Sequence, residues 1–342
     1  MVNPTLLDPT WYIAAFAGGA FGAAIGALPA FIFTGFMVIA GEALNAAGGA
    51  SAPADDSVLG SLAASPGLAP GASGFTGYAA FGPIFGPHIS FAAGAAAAAY
   101  AAKQGYIDDG KNILWAAGTN NVDVLLVGGI FGILGRVGTG LGRTVGIPTD
   151  NIALMVYVSA FIHRIAFGYS IIGEVTGDGL FDVGPWERDE DEAPGIWLPW
   201  QYQWGGVAML GFIGGTIGGA LYLATGSALM GFGISAASLV FLQCGVDNIP
   251  VTHHITLPGS VGALGAAAAG YSPTLVIIFG AIFGIFGAVV GEILERVFYM
   301  HGATHVDPPA GAIAASGLLS AILTAAGVLG TTFWAPVTAL GL

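Results

Sequence analysis

The chain has 342 residues, of which 55% are hydrophobic and only 8% charged, with 58 glycines and a formal net charge of −13. A soluble domain carries about 25% charged residues to cover its surface, so a soluble globular enzyme and a disordered chain are both excluded. Seven Lys and Arg residues in all provide no basic patch for nucleic acid. The expectation is an all-α integral membrane protein whose partners are the lipid bilayer and a small solute or ion.

Met1-Val2-Asn3-Pro4 lacks the basic start of a cleaved signal peptide, so the first apolar stretch should stay as a span. A helix crosses a bilayer with about 20 apolar residues. Residues 11–47 are too long for one crossing, and Pro29 divides them into spans near 12–28 and 30–47. Residues 48–77, rich in Gly, Ser, Pro and Asp, read as a long loop. The apolar segment 78–102 opens Phe81-Gly82-Pro83-Ile84-Phe85-Gly86-Pro87-His88. Two prolines and two glycines there predict a non-helical entry, followed by an alanine-rich helix over 88–102. Spans at 122–142 and 150–172 complete a first set of five.

Residues 173–201 are acidic and bear Pro and Trp, which makes them a connector; Trp186, Trp197, Trp200 and Trp204 crowd its far end, as in an interfacial belt. The apolar pattern then resumes at 203–223, 227–245, a broken segment 247–270, 274–298 and 308–335. The organisation expected is about ten transmembrane helices: a first five-span repeat at 1–172, the connector 173–201, and a second five-span repeat at 202–342.

The halves match in sequence. Phe16-Ala17-Gly18-Gly19-Ala20-Phe21-Gly22 pairs with Phe212-Ile213-Gly214-Gly215-Thr216-Ile217-Gly218, and Gly35-Phe36 with Gly231-Phe232. Pro87-His88-Ile89-Ser90-Phe91 pairs with His253-His254-Ile255-Thr256-Leu257. Gly128 to Gly135 pairs with Gly280 to Gly287. The blocks keep their order while the offset falls from 196 to 166 to 152 residues, most of the first drop matching the loop 48–77. Five crossings per unit, an odd number, would make the second copy enter from the opposite side, giving inverted repeats. Gly18, Gly22 and Gly26, Gly211, Gly215 and Gly219, and Gly280, Gly284 and Gly287 recur near helical spacing; small residues let membrane helices approach closely. Such packing also suits a homo-oligomer.

The paired interruptions carry the functional expectation. Non-helical backbone at membrane depth persists only where protein or a wet cavity satisfies its polar groups, and matched broken segments point to a substrate site near the midplane. His88 and His254 become symmetric partners there, Ser90 and Thr256 offer hydroxyls, and His253 and Asp247 are secondary candidates. Intramembrane ionisable groups are functional by default, though each His could equally cap a half-helix. His163-Arg164 lies inside the span 150–172, with Ser320-Ala321 at the corresponding place in the second half and Glu42, Asp123, Asp150 and Glu292 as possible partners. Either a buried ion pair or an anion-binding role would satisfy it. His301, His305 and Asp307 are weak metal-ligand candidates by spacing; a solvated loop is the alternative.

Cys244 is the one cysteine, sits in an apolar run and reads as an inert core residue. The lysines are Lys103 and Lys111, while acid gathers at Asp55, Asp56, Asp108, Asp109 and Glu187 to Glu192. Acidic, lysine-poor loops suit very high salt, where self-repulsion is screened, so the expected location is the cell membrane of a halophilic prokaryote, multi-pass. Positive-inside counting puts Lys103, Lys111, Arg188 and Arg296 in the cytoplasm, Arg136 and Arg143 opposite, and the N-terminus outside.

The stretch Gly86-Pro87-His88-Ile89-Ser90-Phe91 with its following alanine run resembles segments of uncharacterised prokaryotic polytopic membrane proteins, which brings no activity with it. The five-plus-five outline with two histidines is similar to ammonium channels and urea transporters in architecture, without their motifs. The leading expectation is therefore a transporter or channel for a small polar or anionic solute or ion. The alternatives are an intramembrane metal- or haem-binding enzyme using His88, His163, His253 and His254, and a structural lattice protein. No nucleophile-elbow, zincin or P-loop motif is present, and no cofactor is predicted.

Overall fold

The computed structural model describes residues 8–48, 75–118, 120–190 and 195–333. Among them every regular element is helical: α1 (Pro9–Ile25), α2 (Ala27–Gly48), a π-helical turn Thr76–Ala80, α3 (Ser90–Lys103), α4 (Val122–Thr144), α5 (Asn151–Phe167), the short α6 (Gly184–Glu187), α7 (Trp204–Thr225), α8 (Met230–Gln243), α9 (His253–Ala268), α10 (Pro273–Leu294) continued by a π-helical turn Glu295–Tyr299, and α11 (Pro308–Ala325). Among the described residues five helices are long and apolar enough to cross a membrane: Ala27–Asn45 of α2, α4, α7, Pro273–Tyr299 and α11. With that many apolar helices, the protein is an all-helical membrane protein.

The remaining long helices have 14 to 17 residues. At 1.5 Å per residue they reach roughly 21–26 Å, short of a hydrocarbon layer about 30 Å thick. Two of them, α3 and α9, are short because irregular chain precedes them: residues 81–89 before α3 and 244–252 before α9.

Four local expectations change. The first break falls at Gly26, not Pro29. Gly26 takes φ 97° and its N–H caps the Gly22 carbonyl, while Pro29 fits the first turn of α2, where a helix has no use for an N–H. The second interruption ends earlier than expected, because α9 begins at His253 and runs through Pro258. Proline there leaves the His254 carbonyl without its i+4 donor, and that carbonyl packs on Gly287. Cys244 is exposed, because α8 stops at Gln243 and the cysteine caps its end. Most of the loop 48–77 lies outside the described residues.

The packing partnerships of the two halves correspond. In the first, α1 packs on α3 and α4, α3 on α4, α5 on α3 and α4, and α2 on α3. In the second, α7 packs on α9 and α10, α9 on α10, α11 on α9 and α10, and α8 on α9. Across the middle, α2 meets α8 and α5 meets α11. Glycines make the closest approaches. Gly19 lies against the backbone of Gly128 and Gly132, Gly215 against Gly280 and Gly284. Gly22 abuts the Ser90 carbonyl and Gly218 the Thr256 carbonyl. A methyl group at any of them would overlap backbone, so these are contacts that only glycine permits.

Candidate functional site

Between the halves lies a cavity of about 330 Å³. Along α8 it is bordered from Phe232 to Leu242, about 15 Å of helix. Its lining draws on equivalent positions of both halves. Pro87 and His253, and Phe91 and Leu257, stand at the 166-residue offset; Asp150 and Asp307, Ala153 and Ala310, and Val156 and Ile313 stand at 157, the offset relating His163-Arg164 to Ser320-Ala321.

The middle of the cavity is aromatic. The Phe31 ring lies 5.7 Å from Phe91 and 5.8 Å from Phe232, centre to centre, and 4.7 Å from the His253 imidazole. Phe232 is also 5.6 Å from Phe81 and 6.0 Å from His253. His253 Nδ1 is buried without a hydrogen-bond partner among the described residues.

Asp150 and Asp307 are the N-caps of α5 and α11. Asp150 Oδ1 accepts the Ile152 and Ala153 amides at 2.9 and 3.1 Å. Asp307 Oδ2 accepts Ala310 N–H at 2.9 Å and its Oδ1 stands 3.2 Å from His305 Nε2. A third carboxylate, Asp109, lines the cavity beside Lys111, whose backbone N–H it accepts at 2.8 Å. Lys111 Nζ donates to the Met300 carbonyl (3.2 Å) and sits 4.6 Å from the centre of the Tyr299 ring. Burial pushes this ammonium down to about 8, against the opposing pull of Asp109 and Glu295.

The connector also reaches the cavity. Trp197, Leu198 and Trp200 line it, so two of the four tryptophans expected in an interfacial belt turn inward. Gln201 holds the irregular entry to α9: its Nε2 donates to the Val251 carbonyl and its Oε1 accepts Val251 N–H, both at 2.9 Å. Trp200 Nε1 donates to the Ile249 carbonyl at 3.0 Å.

Of the residues singled out in the sequence, His253 and Asp307 line this cavity; His88, Ser90, His254, Thr256, Asp247, His163 and Arg164 are not in its wall. Adjacent residues on a helix point about 100° apart, so His254 turns away from His253 toward Trp197, at 6.3 Å, and Gly291. His88 folds back over Gly86. The Thr256 hydroxyl bonds Ser235 Oγ at 3.1 Å, fastening α9 to α8, and the Ser90 hydroxyl is buried. Asp247 lies in an exposed turn.

His163 and Arg164 form a separate buried cluster. Arg164 Nε donates to Thr304 Oγ1 (2.9 Å), Nη2 to the Thr304 carbonyl (2.7 Å) and Nη1 to the Ile171 carbonyl, while His163 Nε2 shares the Thr304 hydroxyl at 3.0 Å. None of the four expected acids pairs with Arg164. In the last turn of α5 its side chain reaches past the helix end to carbonyl oxygens. Glu292 instead binds Arg296 at 2.7 Å, Glu42 accepts the Thr76 and Ser227 hydroxyls, and Asp123 accepts those of Tyr100 and Tyr106. His301 reaches the Leu180 carbonyl, away from His305 and Asp307. Among the described residues no group of three or more His, Cys, Asp or Glu is placed to hold a metal ion.

In the sequence Asp150 stands out only as a partner for Arg164 and Asp307 only as a metal ligand. Their shared signal was available: an Asp immediately before the fifth span of each half, the usual place for an N-cap. Fold and cavity together define a helical membrane protein with an interior chamber between corresponding halves. The chain belongs to the family of unknown function DUF7973, whose model matches residues 1–338. Neither the curated proteins nor the solved structures contain a significant match to it.

Proposed function

We propose that the protein is a membrane transporter or channel for a small solute, built from two inverted five-span repeats, 1–172 and 202–342, around the connector 173–201, in the cell membrane of a halophilic prokaryote. The observation that carries this reading is the cavity lined by equivalent positions of both halves, including the two broken segments through Pro87 and Val251. Irregular backbone deep in a membrane is tolerated where it borders such a chamber. Repeat transporters place their solute at this kind of interface. The corresponding helix partnerships and glycine approaches support the repeat. The acidic connector supports a high-salt setting. The solute contacts are Phe31, Phe91, Phe232, His253, Asp150 and Asp307. Arg164, expected near an anionic solute, lies outside the lining.

Proteoliposomes given gradients of urea, glycerol, choline chloride and sodium acetate test it. At least one solute should enter faster than into protein-free vesicles. Ala153→Trp and Ala310→Trp, which fill the cavity from either half, should each lower that rate about tenfold or more while the protein still reconstitutes. Rates equal to empty vesicles for all four solutes, or rates indifferent to both substitutions, would overturn it.

A further inference from the structure

We infer that the cavity selects a small organic cation of the alkylammonium type. Binding follows from the cavity's own chemistry; passage of the cation across the membrane rests on the transport reading.

Two features of the wall converge on a cation. The first is charge. Asp109, Asp150 and Asp307 all line the chamber, against one cationic side chain, Lys111. Lys111 is engaged with the Met300 carbonyl and the Tyr299 ring. Asp150 and Asp307 stand at helix N-termini, whose partial positive charge favours a carboxylate, while burial opposes it at Asp150. The second is the aromatic middle. Phe31 and Phe232 stand against the His253 ring, with Phe91 against Phe31, and aromatic rings attract a cation, more strongly once it is desolvated. An anion would meet three carboxylates in the wall. His253, buried, with Nδ1 unpartnered and standing in this wall, supplies a polar contact for a hydroxyl or N–H on the solute.

Size separates organic from inorganic cations. A chamber of about 330 Å³ is at the scale of pockets that enclose an organic molecule. Its wall is mainly carbon, which replaces the hydration of an alkylammonium far better than that of a bare metal ion. The carboxylates lie at the starts of α5 and α11, one from each half. The cation would therefore find a counter-charge from each half.

The test compares choline with its neutral isostere 3,3-dimethyl-1-butanol, with tetramethylammonium, and with the anion pivalate, on purified full-length protein. Binding is read from the fluorescence of Trp197 and Trp200, which line the cavity, and by calorimetry. Choline or tetramethylammonium should bind saturably, at least about tenfold tighter than the alcohol, a difference of about 1.4 kcal/mol. Asp150→Asn and Asp307→Asn should each weaken cation binding about tenfold and leave the alcohol unchanged. Asparagine caps a helix as well as aspartate does, so both variants should fold. Equal binding of the alcohol, preference for pivalate, no binding of either cation, or an unchanged choline affinity in both variants would overturn the inference. Uptake separates it from the transport reading. Flux of urea or glycerol without cation binding sinks the cation site alone; cation binding without flux of any solute sinks transport alone.

Discussion

Lys111 shows how one side chain reports on the cavity. Its ammonium is buried beside Tyr299, with Asp109 and Glu295 pulling its proton affinity up and Arg164 and burial pushing it down; burial wins, and the value falls from 10.5 to about 8. Between those values the unfolded chain holds the proton and the folded chain does not. Stability therefore rises with pH across this window and is lost again as pH falls through about 8. The melting temperature of detergent-solubilised protein should climb between pH 8 and pH 10. Lys111→Met keeps the apolar stem and should flatten the climb, raising stability near pH 7. Tyr106, whose hydroxyl bonds Asp123 and is held above its usual range by it, works in the opposite direction near pH 10, so the difference between wild type and variant is the quantity to read. Equal slopes in the two proteins would show that Lys111 titrates normally.

The elements show which parts of the site were legible in the sequence. Residues 82–89, with two prolines and two glycines, announced an irregular entry because no helix tolerates that spacing, and the structure has it. Pro258 gave the same signal and misled: the helix runs through it, and Gly287, with no side chain, leaves room for the His254 carbonyl that the proline deprives of its donor. The choice between His253 and His254 was illegible. One residue of helical phase decides which ring faces the chamber, and that phase depends on where α9 starts. Its start is set by a remote residue, Gln201 in the connector, which clamps Val251 on both backbone groups. Leaving two buried backbone groups unsatisfied costs about 1–3 kcal/mol each. Gln201→Ala should therefore loosen residues 247–252 by about that amount. Hydrogen exchange at the Val251 amide should accelerate at least about tenfold while exchange in α4 and α10 stays put. Unchanged protection at Val251 would show that Trp200 and the packing of Val251 hold the entry without Gln201.

At the scale of the whole molecule, the question is whether the short helices cross. Composition marked the chain as a membrane protein, and the repeated glycine blocks were visible because glycines that touch backbone cannot vary in size without overlap. Length alone distinguishes five helices, since α3, α8 and α9 are shortened by irregular chain that periodicity does not count. If α8 and α9 both span, residues between them lie across the membrane from residues flanking them. Cys244, exposed at the end of α8, is a natural reporter of that arrangement. Tyr271, between α9 and α10, and Val145, after α4, are exposed too, as is Asp108 after α3. In oriented vesicles a membrane-impermeant maleimide should label native Cys244 from one face. In a Cys244→Ser background, Asp108→Cys should label from that same face, and Val145→Cys and Tyr271→Cys from the opposite one. Should only the five long helices cross, α8 and α9 stay on one side together, and Cys244 and Tyr271→Cys share a face. That result would remove the inverted repeat, and with it the reason for placing a pathway between the halves.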